Sequence, residues 1–261
     1  MLTRDVIIQT LVNALKPLDY AHAFYEGGAA AFNRVDEWSD IDLYLVVEDE
    51  KVNEAFLAVE KALKSLSSIK QKLDVQQTGW PGVSQAFYKL EDTSEYLIID
   101  FCVLNFSSSE TFLEPEIHGN VVFYFNKSGK IKPPLLDKVA LSKKVHERLD
   151  RLQSRFAMFN IFVQKEINRG HQIEAIGLYH GLTLATLVEA LRIKHNPIHY
   201  NFKMEYLHYE LPSDVTKKLE RLYFVKDAKD LQEKYYEAIK WFHRTIEAID
   251  QKEIERLIGI R

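Results

Sequence analysis

The chain has a single cysteine, Cys102, among its 261 residues. No internal disulfide can form, and a reducing compartment fits such a composition. Cys102 stands inside an apolar run, which predicts a small core residue rather than a reactive thiol. Long hydrophobic runs are lacking too. None approaches the roughly 20 residues that cross a bilayer, so no membrane partner is expected. The first fifteen residues carry Asp5 and no extended apolar stretch, unlike a secretory leader, and the expected location is cytoplasmic. There is no internal repeat, no low-complexity segment and no long basic stripe. Nucleic acid is therefore not an expected partner. His195, His199 and His208 lack the flanking carboxylates and tight spacing of a zinc site.

What is present is an ordinary globular composition, 46% apolar and 12% aromatic, with its charge unevenly spread. Residues 1–130 carry 11 Lys and Arg against 20 Asp and Glu, a net of −9. Residues 131–261 carry 23 against 18, a net of +5. The character of the chain changes around Pro133-Pro134, and a domain boundary is expected near residue 130. The expected organisation is α+β: a mixed β-sheet domain with flanking helices over 1–130, followed by an all-α helical bundle over 131–261.

The elements follow from periodicity. Apolar residues at Val6, Ile7, Leu11, Ala14 and Leu15 predict a helix that Thr3 caps and that ends before Pro17. A strand over His22–Tyr25 enters a glycine pair. Lys51 to Leu66 predicts a second helix. Strands are expected over 69–77, 83–90 and 95–106, and a last one over 121–125. Between them, 106–119 is a serine-containing loop with Glu116 and His118 as substrate-side candidates. In the second half, helices are expected over 135–168, continuous or broken, and over 172–195, 213–223 and 227–257, which suggests an antiparallel bundle. Its polar residues Glu166, Arg169, Glu174, His180, Glu189 and Arg192 are candidates for a cleft, and most of them are expected to be solvated surface.

The stretch from Tyr25 to Val47, YEGGAAAFNRVDEWSDIDLYLVV, is where chemistry concentrates. Gly27 and Gly28 permit a sharp turn and close approach of a ligand to the backbone. Asp40 and Asp42 are two apart, so on a strand they share a face, while Ile41, Leu43, Leu45 and Val47 take the other. Two neighbouring carboxylates repel each other, at a cost that a cation between them removes. The plain alternative is a tight turn before a strand with two solvated carboxylates. Asp100 is a charge inside the apolar run Tyr96–Leu104, and a buried carboxylate needs a partner or a metal. Asp74 is a poorer candidate for the same place.

These residues resemble the signature of the nucleotidyltransferase superfamily of the DNA polymerase beta type. Its pattern is a Gly-Ser or Gly-Gly turn, a spacer, then Asp-hydrophobic-Asp/Glu-hydrophobic. The branch most resembled holds the aminoglycoside and lincosamide nucleotidyltransferases, and the resemblance is best over residues 20 to 105. Two frames fit. In one, Gly28 takes the glycine, Ala29 the serine, Phe32 an arginine and Asn33 a second glycine. In the other, Gly27-Gly28 is the glycine pair. Ala29 is the main departure, because a serine hydroxyl usually helps to hold phosphate there.

The resemblance implies that Asp40, Asp42 and Asp100 are catalytic and bind Mg²⁺, with two ions. It assigns the nucleotide, ATP or another NTP, to Gly27, Gly28, Ala29, Ser39 and Arg34. The implied reaction moves NMP from the NTP to a hydroxyl of a small acceptor, an aminoglycoside- or lincosamide-like antibiotic, and releases pyrophosphate. Adenylylation of a protein or a tRNA end is one alternative. A catalytically weakened nucleotide-binding or interaction module is another.

Overall fold

The computed structural model describes residues 1–75, 78–108, 113–129 and 131–260. The chain divides into two compact units, 1–136 and 137–261. Gln76 and Gln77 of the third expected strand and residues 109–112 of the expected loop lie outside the described residues.

In the first unit the Thr3 hydroxyl accepts from the Val6 amide and opens helix α1 (Arg4–Leu15). Strand β1 (Ala21–Glu26) leads into a one-turn helix α2 (Gly28–Ala31), and β2 (Ile41–Val47) follows. A 3₁₀ turn at Asp49–Lys51 enters α3 (Val52–Leu66). Then come β3 (Ile69–Val75), β4 (Val83–Leu90), β5 (Ile99–Asn105), the one-turn helix α4 (Pro115–His118) and β6 (Val122–Asn126). Among the described residues the strands form a six-stranded mixed sheet of order β3-β4-β5-β2-β1-β6. β2 and β5 run parallel, and the other neighbours are antiparallel. The strand expected from residue 95 begins only at Ile99. The Leu97 amide instead closes a turn onto the Ser94 carbonyl at 3.1 Å.

Side chains alternate between the two faces of a strand, and here both faces are used. On one, Ile7, Leu11 and Leu15 of α1 and Val59 and Leu63 of α3 pack on Phe24, Leu43, Leu45 and Phe101. On the other, Tyr25, Val46, Cys102 and Leu104 pack with Leu113 and Ile131. Asp42 and Tyr44 alternate with Leu43 and Leu45, so they fall on this second face. Cys102 is buried there, as expected of a core residue, and burial pushes its thiol pKa up.

The second unit is helical: α5 (Lys138–Phe159), α6 (Ile161–Arg169), α7 (Gln172–Leu178), α8 (Ala185–His195), α9 (Leu207–Glu210), α10 (Ser213–Tyr223), α11 (Ala228–Glu247) and α12 (Gln251–Ile258). A π-helical turn, Tyr179–Leu184, joins α7 to α8. The helix expected over 135–168 is interrupted at Asn160. That buried side chain accepts from the Thr183 hydroxyl at 2.6 Å and donates to the Tyr235 hydroxyl at 3.2 Å. The helix expected over 227–257 is also two, because the Asp250 carboxylate caps a new start at the Lys252 amide. The core gathers Phe156, Tyr179, Leu187, Leu222, Tyr235 and Phe242. Among the described residues no helix is long and apolar enough to cross a membrane.

Phe101 has no exposed surface and lies in the core between the helices and the sheet. Phe101→Ala is expected to cost about 3–5 kcal/mol of stability in urea unfolding. Leu57→Ala, at a side chain 68% exposed on α3, should stay within about 0.5 kcal/mol of wild type. Equal effects at the two positions would contradict this account of the core.

Candidate active site

The parallel register of β2 and β5 sets Asp42 directly beside Asp100, with Leu43 beside Phe101. Both carboxylates therefore point from the same face of the sheet, away from α1 and α3. Asp40 stands one residue before β2. Its Oδ1 accepts from the Ile98 amide at 3.1 Å, which ties it to the segment entering β5. Its carbonyl accepts from Arg4 Nη1 at 2.6 Å. The Gln85 amide of β4 donates to both oxygens of Asp100, at 2.8 and 2.9 Å. The three aspartates singled out in the sequence are thus brought to one end of one strand pair.

Burial and mutual repulsion mark the site electrostatically. Burial raises the Asp42 pKa, and Asp40 raises it further, while Arg4 and the Ala29 amide pull it down. Asp100 is pushed up to about 6, chiefly by burial and then by Asp42 and Asp40, against the hydrogen bond from Gln85.

The glycine pair is explained by the same carboxylate. Gly28 has φ +50, and a Cβ there would lie 1.8 Å from Asp42 Oδ2. A Cβ on Gly27 would meet Tyr44 Cε2 at 2.8 Å. The Gly27 amide donates to the Asp42 carbonyl at 2.9 Å, and the Ala29 amide donates to the Asp42 carboxylate. Arg34 follows on α2, its amide on the Ala29 carbonyl at 2.8 Å and its guanidinium 4.8 Å from the centre of the Phe32 ring. Ser39 closes the turn before Asp40: its hydroxyl donates to Asp36 Oδ1 and accepts from the Asp36 amide, each at 2.9 Å. Helix α4, which carries Glu116 and His118, sits against this turn. The Asn120 amide donates to the Ala31 carbonyl at 2.8 Å, and a Cβ on Gly119 would press on that carbonyl at 2.7 Å.

Several residues enter the site without having been singled out in the sequence. Arg4 pairs with buried Glu26, which also accepts from the Tyr124 hydroxyl. A basic residue in the first turn of a helix opposes the helix dipole, and that is the sequence signal Arg4 offers. Gln85 follows Ser84 in a strand of alternating character and offers no such signal. Trp38 and Tyr96, both more than half exposed, pack edge-on with ring centres 5.1 Å apart in the turns that precede β2 and β5. Other candidates stand apart. Asp74 lies exposed on the outer strand β3 and pairs with Lys72 at 2.7 Å. In the helical unit, Glu166 pairs with Arg169 and His171, and Glu174 is exposed. His199 pairs with Glu210, and His208 lies 3.7 Å from Glu220.

Among the described residues no three or more His, Cys, Asp and Glu side chains are gathered as a ready-made metal cage. The donor set still fits Mg²⁺. It consists of hard carboxylate oxygens whose charged forms are destabilised by burial and by one another. Mg²⁺ is commonly held by one or two carboxylates completed by substrate phosphates and water, rather than by a full protein cage.

The Asp100 pKa is higher in the fold, about 6, than the ordinary 3.8, so the folded protein binds the proton more tightly. Its contribution to stability is full below the ordinary value and is lost as pH rises through about 6. In metal-free protein the urea midpoint should therefore fall between about pH 4 and pH 6, and Asp100→Asn should flatten that fall. Identical slopes in the two proteins would contradict the assignment. Gly28→Ala is expected to cost about 1–3 kcal/mol in the same assay, since it combines a left-handed φ with a clash on Asp42. A neutral result would show that Asp42 is free to move aside.

No family model and no curated protein sequence matches the chain. Among solved structures, an aminoglycoside 6-adenyltransferase from Bacillus subtilis is similar at 12% identity and a TM-score of 0.38, over 100% of this chain and 93% of that one. A spectinomycin adenyltransferase from Enterococcus faecialis, solved with ATP and spectinomycin, is similar at 12% identity and a TM-score of 0.36, over 99% of each chain.

Proposed function

We propose that the first unit is a metal-dependent nucleotidyltransferase site. It moves NMP from an NTP, ATP foremost, to a hydroxyl of a small acceptor and releases pyrophosphate. The observation that carries this reading is the side-by-side placement of Asp42 and Asp100 on parallel strands, with Asp40 anchored at their entrance. Asp40 and Asp42 would hold Mg²⁺, with Asp100 beside them for a second ion. The ion, when bound, neutralises phosphate charge and orients the α-phosphate for attack.

The chain's own residues divide the remaining work. Asp100 would take either that second ion or the proton of the attacking hydroxyl, and Gln85 fixes the orientation of its carboxylate. Gly27 and Gly28 bring backbone close to the phosphates, where no side chain obstructs them. Ala29 acts through its amide, which steadies Asp42. Ser39 braces the turn that delivers Asp40, and Arg34 is the nearby cation for the β and γ phosphates. Aminoglycoside- or lincosamide-like antibiotics are the first acceptors to screen. A decayed, non-catalytic module is disfavoured, because it would have no reason to keep Asp42 and Asp100 side by side at such electrostatic cost. A cytoplasmic setting accords with the lone buried thiol.

Calorimetric titration of ATP into the protein should show binding that requires Mg²⁺. Asp42→Ala should abolish it while circular dichroism and urea stability are retained, since the substitution relieves like-charge repulsion. Unchanged metal-dependent binding in the variant would overturn the assignment. So would silence of the wild type with ATP, GTP, CTP and UTP alike. Pyrophosphate release on adding the acceptors would then identify the hydroxyl donor.

A further inference from the structure

Arg4 is the first residue of α1, yet its side chain is spent on the strands. A cation in the first turn opposes the helix dipole, so the helix itself gains nothing from it. The side chain is 19% exposed, and that of its partner Glu26, the last residue of β1, is 3% exposed. Nη2 pairs with Glu26, and Nη1 donates to the Asp40 carbonyl at 2.6 Å. Glu26 accepts in addition from the Tyr124 hydroxyl of β6. One planar guanidinium therefore touches the residue just before the segment 27–39 and the residue just after it. That segment carries Gly27, Gly28, Ala29, Arg34 and Ser39.

The geometry of the strands explains why Asp40 needs this contact. Carbonyls along a strand face alternate sides. The Asp42 carbonyl faces β1 and accepts from the Gly27 amide at 2.9 Å. Two residues earlier the Asp40 carbonyl faces the same side, but the chain has left β1 at Gly28 to form α2. Among the described residues no backbone amide reaches it. Arg4 takes the place of the missing strand donor. The carboxylate of the same residue is fixed separately, by the Ile98 amide on Oδ1 at 3.1 Å. Asp40 lies one residue outside β2, and these two bonds hold it beside the strand that carries Asp42.

We propose that Arg4 is a positioning residue for the carboxylate site. It fastens the two ends of the segment 27–39 and sets the Asp40 carboxylate where Mg²⁺ is held. The inference rests on the metal site proposed above. A bare guanidinium beside Asp40 and Asp42 would repel the ion that it helps to place. Glu26 cancels that charge, because the fork lets one nitrogen meet the carboxylate while the other meets the carbonyl. Lysine has the charge without the fork, so it cannot hold both partners in the same way. Glu26 thus belongs to the device that places Asp40 and is not itself a ligand of the ion. Its carboxylate is buried against Arg4 and Tyr124.

The test applies two readouts to the double variant Arg4→Met/Glu26→Gln. Removing both charges together leaves no unpaired buried ion, and neutral replacement of a buried pair commonly keeps the fold. In metal-free protein, amide exchange over residues 27–41 should quicken about tenfold, with α3, β3 and β4 unchanged. In calorimetry the affinity for Mg·ATP should fall about tenfold. Arg4→Lys keeps the charge balance with Glu26 and should move both readouts in the same direction; it decides alone if the double variant unfolds. Arg256→Met/Glu253→Gln makes the same changes at an exposed pair of the helical unit and should leave both at wild type. Faster exchange confined to 27–41 together with weakened Mg·ATP binding supports the positioning role. Wild-type exchange or wild-type affinity in the Arg4 variants overturns it, as does equal loss in the Arg256 control. Faster exchange throughout the first unit overturns it too, since an ion pair that serves only stability acts in that way. Silence of the wild type toward Mg·ATP and the other NTPs instead overturns the metal site, and the positioning role with it.

Discussion

The parallel pairing of β2 with β5 is the constraint on which the rest of the first unit depends. Parallel neighbours cannot be joined by a short hairpin. The chain here leaves β2, passes through α3, β3 and β4, and returns with β5 beside β2. In register, that return sets Asp42 against Asp100 on one face and Leu43 against Phe101 on the other. The apolar face holds the pairing together through the packing of α1 and α3. The other face, apolar along much of its length, carries the cost at one end, two partly buried carboxylates with raised pKa values. The stability of one face maintains the electrostatic tension of the other.

That tension propagates outward through close contacts. Asp42 leaves no room for a side chain at Gly28, so the turn after β1 is built from glycine and its amides are directed at Asp42. The helix that follows leaves no room at Gly119, so the segment after α4 lies against it. On the opposite face, the buried Glu26 at the end of β1 is matched by Arg4, and Arg4 reaches the carbonyl of Asp40. Arg4 therefore connects the two faces of the sheet. It neutralises one carboxylate outright and lowers the pKa of another.

Much of this was legible in the sequence because it follows short-range rules. Spacing of two placed Asp40 and Asp42 on one face, and a charge in an apolar run marked Asp100. The α+β order was legible from the change of hydrophobic period after residue 130. What escaped was decided by residues far apart in the chain. The Gln85 contact with Asp100 depends on the pairing of β4 with β5, and the Arg4 contact with Glu26 on where α1 crosses the sheet. A break within the helix over 135–168 was allowed for, but its place was not legible, and the break at Asp250 was not expected. Asn160 interrupts a helix because Thr183 and Tyr235, distant in sequence, satisfy its side chain. Asp250 is local and was readable as a cap, but the strong apolar periodicity on both sides of it obscured the signal.

The uneven charge of the chain becomes intelligible once it is divided by site rather than by half. A net charge of −9 or +5 spread over a surface governs solubility and long-range attraction. Charge that is gathered and left unbalanced has a more specific meaning, because each additional like charge raises the cost of the last. In the first unit the unbalanced charge is acidic and stands on a rigid strand pair, which suits a small hard cation. Exposed pairs formed along one segment, such as Lys51 with Glu54, Lys64 with Glu60 and Arg256 with Glu253, contribute little. The informative groups are those that the fold brings together and then leaves without an opposite charge.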